Sequence, residues 1–241
     1  MRKTSSLPGR KIALVGSDTG KSEAPFGEKG WELWSLNNLY IGFHAGRKFD
    51  RWYELHVFEK EKTETFGVTP KDIYLRRGVE VYNTLPVEDY MKDIGKLDIP
   101  TFMQKKWDII PKSEVFPFEK IMDKFNTRYF GCSFTWMLAH ALYEHMNGKK
   151  IDEIGFYGIN LAGVEYYQQR PTLEYFMGIA YGMGIKITTQ NESDLLKMPF
   201  VYAYAEDFDM IDALFAQGGK RMAMIIETTV QQYLTLLKNG N

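Results

Sequence analysis

Two short apolar runs near the N-terminus, each ending in small or polar residues, constrain the fold most strongly. The first, residues 12–15 in a strand predicted at 11–15, stops at Gly16, and the second, residues 31–36, stops at Asn37. Apolar runs of this length predict strands that are buried on both faces, as in the parallel sheet of an α/β protein. In such a sheet, ligands bind in the crevice outside the carboxyl ends of the strands. We therefore expect a ligand site after these two strands.

The rest of the chain alternates between further strand and helix patterns. Strands are predicted at residues 49–55, 79–82, 99–103, 151–157 and 185–189, and helices at 118–125, 133–146 and 171–182. Residues 205–238 are predicted to be mostly helical. Residues 111–117, bracketed by two prolines, predict a loop, and residues 1–10 a loose arm. Strand–helix–strand alternation implies parallel strands with right-handed crossovers. We expect one α/β domain over residues 1–241, with a mostly parallel, doubly wound sheet and a helical C-terminal addition at 205–241.

Composition excludes several classes of protein. Lys and Arg number 30 against 31 Asp and Glu, so the net charge of −1 argues against a general polyanion binder and gives a nucleic-acid partner no support. The single cysteine, Cys132, excludes an intrachain disulfide and a cysteine metal cluster. No apolar run approaches the roughly 20 residues of a membrane span, and none after the basic N-terminus suits a signal peptide. We expect a cytoplasmic protein without a membrane partner.

The turn after the first strand leaves three interpretations open. Residues 16–22 nearly match a P-loop, but three residues instead of four separate the two glycines. Such a turn can also hold an anionic ligand through its backbone N–H groups and the side chains of Ser17 and Asp18, without a basic residue. The third interpretation is a plain surface turn. We expect this turn to contact a nucleotide or another anionic ligand.

Asn37 follows the second strand and has two interpretations. Its side-chain amide offers both a donor and an acceptor, which suits recognition of a nucleobase or a sugar. Asparagine also tolerates the left-handed conformation of a tight turn, in which case its role is structural.

His56, at the end of the aromatic strand 49–55, is the best single candidate for a general acid or base, because histidine titrates near neutral pH. A structural histidine that caps the strand is the alternative. Asp50, which lies in the same segment, and Glu165 are further catalytic candidates. The histidines at positions 44, 140 and 145 lack the spacing of a metal site, so neither a metal nor another cofactor is implied.

Two later segments place polar residues where an anion can bind. Ser133 is the expected N-cap of the helix at 133–146, and the unpaired N–H groups at that helix start suit a phosphate or a carboxylate, although ordinary capping also explains the serine. Cys132, beside it, is expected to be a packing residue. The strand at 151–157 ends in Tyr157-Gly158, and Asn160 follows.

A polar and aromatic segment precedes the helix at 171–182. It contains Tyr166, Gln169 and Arg170, which are suited to phosphate or sugar contact. The alternative is a cluster that caps the helix, with Pro171 in its first turn.

Four short blocks in combination resemble a known family. They are Val15-Gly16-Ser17, residues 36–40 with the strand-end asparagine, residues 132–139 at the helix start, and residues 157–160. The chain resembles the small Rossmann-like bacterial sialyltransferases that use CMP-activated sugars, and related phage-encoded proteins with the same order of blocks. The resemblance implies that Gly16, Ser17, Asn37, Ser133 and residues 157–160 contact a nucleotide donor, and that the site lies in the host cytoplasm if the chain is phage-encoded.

The chain departs from this family at the catalytic base. The family's histidine lies in a lid segment after the last block, whereas this chain has no histidine beyond His145, and Asn160 stands where the family has aspartate. A base in this chain would therefore be His56 or Glu165, and Asp50 is the next candidate.

These observations predict a glycosyltransferase-like enzyme that transfers a sugar from a nucleotide donor to an acceptor hydroxyl. Arg170 would balance the charge of the leaving group. A non-catalytic nucleotide-binding protein, such as a sensor or a sequestering protein, is the alternative, and a nucleotide-dependent phosphotransferase is the third hypothesis. The apolar face of the last predicted helix, at 220–237, packs on the core or forms a homo-oligomer.

Overall fold

The computed structural model describes residues 9–40, 46–56, 87–162 and 166–197. The chain falls into two compact units, 1–196 and 197–241, and every described residue except Lys197 belongs to the first. Several predictions lie outside the described residues: residues 1–8 of the arm predicted at 1–10, the strand at 79–82, the helical addition at 205–241, and the catalytic candidate Glu165.

The described residues form a parallel sheet of seven strands. The strands are β1 (Arg10–Val15), β2 (Trp31–Leu36), β3 (Arg51–Glu54), β4 (Thr101–Met103), β5 (Ser113–Val115), β6 (Ile151–Tyr157) and β7 (Lys186–Thr189). Their order across the sheet is β5-β4-β3-β2-β1-β6-β7, and every neighbouring pair is parallel. At the centre, Leu14 of β1 lies beside Trp34 of β2 and Phe156 of β6. The predicted parallel α/β sheet is confirmed.

Helices cover both faces of this sheet. They are α1 (Val87–Gly95), α2 (Phe118–Phe125), α3 (Ser133–Met146) and α4 (Arg170–Gly182). Because successive side chains of a strand point to opposite faces, β1 divides its apolar residues between two cores. Ile12 and Leu14 belong to the core that contains α2, α3 and α4, whereas Ala13 and Val15 belong to the core that contains α1. The sheet is therefore doubly wound, as predicted.

The order of the strands fixes where a ligand crevice opens. From β1 the chain adds strands in one direction as far as β5, and then β6 pairs with the other side of β1. Connections on either side of this reversal leave in opposite directions, so a crevice forms outside the carboxyl ends of β1 and β6. Among the described residues, no helix is both long and apolar enough to cross a membrane.

Most element bounds agree with the sequence predictions, and two elements do not. The bounds of β2, β6, α2 and α3 are those predicted. The predicted loop at 111–117 is wrong, because residues 113–115 form the strand β5, which lies at the edge of the described sheet and pairs there with β4 alone. Edge strands tolerate flanking prolines, since one side of the strand carries no ladder hydrogen bonds. Helix α1 was not predicted, although its buried residues Tyr90, Met91 and Ile94 have helical spacing.

Candidate ligand-binding site

A pocket of about 250 Å³ opens at the carboxyl edge of the sheet, beside the β1–β6 reversal. It brings together most of the residues that the sequence analysis selected: Ser17, Asp18, Asn37, His56, Ser133, Gly158, Asn160, Tyr166 and Gln169. These residues come from the ends of β1, β2, β3 and β6 and from the segments that begin α3 and α4. The predicted crevice therefore exists, and its walls are drawn from six separate parts of the chain.

The turns after β1 and β6 contact each other through their backbones. The N–H of Gly16 donates to the carbonyl of Tyr157 (2.8 Å), and the N–H of Asp18 donates to the carbonyl of Gly158 (2.9 Å). A Cβ atom on Gly16 would lie 2.3 Å from the Gly158 oxygen, so only glycine fits there. The buried side chain of Gln190 completes the contact, because it accepts from the Gly158 N–H (2.6 Å) and donates to the Gly20 carbonyl (2.8 Å).

The turn after β1 does not have the geometry of a P-loop. It leads into a 3₁₀ helix of three residues, Lys21–Glu23, instead of a long α-helix. The ammonium group of Lys21 donates to the carbonyl of Ser17 (3.0 Å), within the same turn. A P-loop needs its lysine on the nucleotide phosphates and a helix N-terminus behind them, so the P-loop interpretation is not supported.

Asn37 combines a left-handed backbone with a buried acceptor that has no hydrogen bond. Its φ is 52°, its N–H donates to the Tyr53 carbonyl (2.9 Å), and its carbonyl accepts from the Trp52 indole (3.0 Å). The residue is only 6% exposed, and its Oδ1 has no hydrogen-bond partner. The expected left-handed turn is therefore present. The unsatisfied Oδ1, which is itself closed off from solvent, costs about 1–3 kcal/mol, and Asn37 also lines the pocket.

His56 is held by a carboxylate that the sequence analysis did not select. Nδ1 of His56 lies 2.5 Å from Oε1 of Glu54, and the backbone N–H of His56 donates to the same oxygen (3.2 Å). Glu54 is fully buried, and its Oε2 accepts a hydrogen bond from the hydroxyl of Tyr90 on α1. Burial alone would raise the pKa of Glu54, but the charge and hydrogen bonds of His56 and Tyr90 outweigh it and hold that pKa below its usual value.

The first turn of α3 forms another wall of the pocket. Helix α3 begins at Ser133, so its N-cap is Cys132 and not Ser133 as predicted, and no side-chain hydrogen bond caps the helix. The first turn contains no acidic residue. The helix start therefore brings a partial positive charge beside the pocket, where the Cys132 sulfur lies against the backbone N–H groups of Phe134 and Thr135. Burial raises the pKa of the Cys132 thiol, which keeps it protonated and agrees with the predicted packing role.

Several predicted residues lie away from the pocket. Asp50 precedes β3 at the opposite edge of the sheet, where its carboxylate accepts from the Leu33 N–H (2.7 Å). Arg170, the first residue of α4, pairs with Glu174 (2.9 Å) and donates to the Asp194 carbonyl. Tyr157 packs edge-on against Trp31, with ring centroids 6.5 Å apart. The structure therefore does not bring Asp50, Tyr157 or Arg170 to the pocket, and Gly16 contributes only through the turn contact described above.

A second cavity of about 190 Å³ adjoins the first. The two share Asp18, Ile159 and Asn160, and the second is also lined by Thr19, Gln190, Glu192 and Ser193. The side-chain oxygen of Asn160 accepts from the Asp194 N–H (2.7 Å), which ties the β6 turn to the segment after β7. The crevice thus continues across the ends of β1, β6 and β7, with carboxylates in its second part.

The sequence analysis missed Glu54, Tyr90 and Gln190. Glu54 could have been found, because residues two apart in a strand point the same way and a carboxylate at that spacing from a histidine can reach its Nδ1. Tyr90 and Gln190 contact this site only through long-range packing, so no local pattern marks them. The described residues contain no group of three or more side chains suited to a metal ion.

Comparison of the chain with protein-family models, with curated proteins and with solved structures finds no match. The resemblance to sialyltransferases therefore stays a prediction, and any function must be argued from the geometry of the pocket.

Proposed function

We propose that this chain is a transferase that uses a nucleotide-activated sugar and binds it in the crevice at the carboxyl ends of β1, β2, β3 and β6. The observation that carries the proposal is the composition of one pocket. It contains a histidine held by a buried carboxylate, an uncapped helix start, and an unsatisfied asparagine acceptor. A base, an anion site and a hydrogen-bonding group are the three functions that a donor nucleotide and an acceptor hydroxyl require.

The phosphate and the nucleoside of the donor are each assigned to a different part of the pocket wall. The phosphate lies at the first turn of α3, where the helix start supplies N–H groups and positive potential. The nucleoside lies toward Asn37, whose Oδ1 accepts from an amino or hydroxyl group. No lysine or arginine is among the described residues that line the pocket, so backbone groups supply the anion contact.

The transfer step uses His56 as the base. Nε2 of His56 takes the proton of the acceptor hydroxyl, and the acceptor oxygen forms a bond to the anomeric carbon of the donor sugar. The bond from that carbon to the phosphate oxygen breaks, and its electron pair leaves with the nucleotide. The proton on His56 then passes to solvent, which returns the imidazole to its starting state.

The second cavity is where we place the acceptor. Asp18 and Glu192 accept hydrogen bonds from hydroxyl groups, and Glu192, which lines the second cavity and not the first, repels phosphates. The acceptor is therefore a polar compound with hydroxyl groups, and the phosphate backbone of a nucleic acid fits this cavity poorly.

The test measures donor hydrolysis, which needs no acceptor. The chain is incubated with CMP- and UDP-activated sugars, with and without magnesium, and nucleotide release is followed by chromatography; binding of the free nucleotides is measured by calorimetry. His56→Gln should lower turnover by about 10²- to 10⁴-fold and leave the nucleotide Kd nearly unchanged. His145→Gln, which changes a histidine at the far end of α3, is the matched control and should retain turnover. Equal turnover in the two variants would rule out His56 as the base.

Non-catalytic nucleotide binding is the second candidate, and the placement of Arg170 favours it. The side chain expected to balance leaving-group charge is paired with Glu174 instead. Calorimetric binding of a nucleotide without release from any activated sugar would establish this alternative. The phosphotransferase hypothesis is weaker, because the turn after β1 lacks P-loop geometry.

A further inference from the structure

A chain of hydrogen bonds links the face of the sheet that carries α1 to the pocket. Tyr90 of α1 is buried in the core that contains α1, and its hydroxyl donates to Oε2 of Glu54. The other carboxylate oxygen of Glu54 contacts Nδ1 of His56 (2.5 Å), and His56 lines the pocket. Three residues from α1, from the end of β3 and from the segment after it are therefore arranged in series.

The chemistry of this series determines where the imidazole carries its proton. A carboxylate that is ionised offers only acceptors, so the Nδ1 that faces it must carry hydrogen. The Tyr90 hydroxyl reinforces the ionised form of Glu54, because it donates to the second oxygen. A neutral imidazole with hydrogen on Nδ1 has its lone pair on Nε2, and Nε2 is then the only nitrogen that can accept a proton.

We infer that Glu54 and Tyr90 are positioning residues that hold His56 in the Nδ1–H form, with Nε2 as the proton acceptor of the site. Neither residue touches the ligand; both act through His56. The inference about the tautomer concerns the protein alone, whereas its consequence for turnover rests on the proposed function. The same logic operates where a buried carboxylate orients a catalytic histidine in other enzyme folds.

The direct test is nitrogen NMR of the unliganded protein with ¹⁵N-labelled histidine. The chain has four histidines, and His56→Gln identifies the signals of His56 by their loss. At pH about 8.5, well above the ordinary pKa of histidine, the His56 Nδ1 should show the shift of a protonated nitrogen and Nε2 that of an unprotonated one. The opposite pattern at His56 in the wild-type protein would overturn the inference.

Two variants test the series itself. Glu54→Gln replaces the carboxylate by an amide of the same shape, and Tyr90→Phe removes only the hydroxyl. Both should convert His56 from a single tautomer to a mixture. Tyr53→Phe is the matched control, because Tyr53 is also buried and its hydroxyl contacts a different histidine, His140, at 3.1 Å. Tyr53→Phe should leave the His56 signals unchanged, and a shift as large as that of Tyr90→Phe would refute the series.

The turnover measurement separates the inference from the proposed function. Glu54→Gln should lower kcat for donor hydrolysis at least about tenfold with little change in KM, and Tyr90→Phe should have a smaller effect in the same direction. An Nδ1–H tautomer in a protein without turnover would support the positioning roles and reject the transferase. Turnover that is unaffected by Glu54→Gln would support the transferase and reject the positioning roles.

Discussion

At the scale of a single residue, two features of Asn37 lower the stability of the folded protein. Its backbone has the left-handed φ of 52°, and its Oδ1 is buried without a hydrogen bond. Strained or unsatisfied groups of this kind persist where the surrounding structure holds them in place, and they cluster at ligand sites. The indole of Trp52 and the backbone of Tyr53 supply that support through hydrogen bonds to the Asn37 backbone.

Replacement of Asn37 by glycine should separate stability from binding. Glycine keeps the left-handed backbone and removes the unsatisfied oxygen, which favours the folded state, but it leaves a void where the buried amide was packed. The two effects oppose each other, so the free energy of unfolding should change by less than about 1 kcal/mol. Nucleotide affinity should fall about tenfold or more, because the ligand loses its acceptor. Urea denaturation and calorimetry measure the two effects.

Asn126→Gly is the control for this prediction. Asn126 has a similar φ of 48°, but it is exposed at the end of α2, away from the pocket. Its replacement should leave nucleotide affinity unchanged. A loss of affinity in Asn126→Gly equal to that in Asn37→Gly would show that the Asn37 oxygen is not a ligand contact.

Contact between the turns after β1 and β6 determines the site at the scale of elements. The two strands are adjacent, and their turns approach so closely that glycine is required on both sides. Gly158 has a φ of 61°, and a Cβ there would lie 2.7 Å from the Lys21 Cβ and 2.9 Å from the carbonyl oxygens of Asp18 and Gly16. The pocket therefore depends on the relative position of two turns that are more than 140 residues apart in sequence.

Gly158→Ala should destabilise the protein more than a left-handed alanine alone explains. The backbone strain costs about 1–2 kcal/mol, and the contacts of the Cβ with the turn after β1 add about 1–3 kcal/mol. Gly184→Ala is the matched control, since Gly184 has a φ of 77° and nothing within 4 Å of its Cβ. In thermal denaturation the Tm of Gly158→Ala should be lower than that of Gly184→Ala. Equal decreases in Tm would show that the turns have room to separate.

At the scale of the whole sheet, the described residues place two groups of polar side chains at opposite edges. The carboxyl edge carries the ligand crevice, whereas the amino edge carries an ionic cluster centred on Glu144 of α3. Glu144 pairs with Arg10 (2.9 Å), Arg51 (3.1 Å) and Lys149 (2.8 Å). His140, one turn earlier in α3, lies among aromatic rings and contacts the Tyr53 hydroxyl. This edge therefore serves stability.

These two groups make stability fall as the pH falls. Burial, with help from Arg51, Lys149 and Arg10 and against the charge of Glu144, lowers the pKa of His140 to about 4. In the unfolded chain His140 takes up a proton as the pH falls below its ordinary pKa of 6.5, whereas in the folded chain it stays neutral until about pH 4. The free energy of unfolding therefore decreases as the pH falls from 6.5 to about 4. Burial would raise the pKa of Glu144, but hydrogen bonds from Lys149, Arg51 and Arg10 lower it to about 2.

The Glu144 shift extends the loss to lower pH. Between its ordinary value of 4.5 and about 2, only the unfolded chain protonates Glu144, so the free energy of unfolding decreases again. Each shift amounts to about 3 kcal/mol at most. Urea denaturation from pH 8 to pH 4 should show the first decrease, and His140→Gln should remove most of it. If the free energy of unfolding of His140→Gln decreased with pH as steeply as that of the wild-type protein, other groups would be responsible for the decrease.

Local patterns were enough to predict most elements and the position of the crevice. The apolar runs of β2 and β6 and the helical spacing of α2 and α3 gave the observed bounds, because burial imposes a period on the residues within each element. The polar residues that end successive strands were expected at one edge, and Ser17, Asn37 and Asn160 line one pocket there. Short elements such as β5 and α1 escaped prediction because few residues carry their pattern.

The chain's sequence by itself therefore determined the class of fold and the edge of the sheet at which a ligand would bind. Only the tertiary structure decided which side chains meet. It placed Glu54 on His56, Tyr90 behind Glu54, and Gln190 between two turns, and it left Asp50 and Arg170 in other contacts. The physical reason is that the periodicity of an element is local, whereas the partner of a polar side chain depends on how elements distant in sequence pack together.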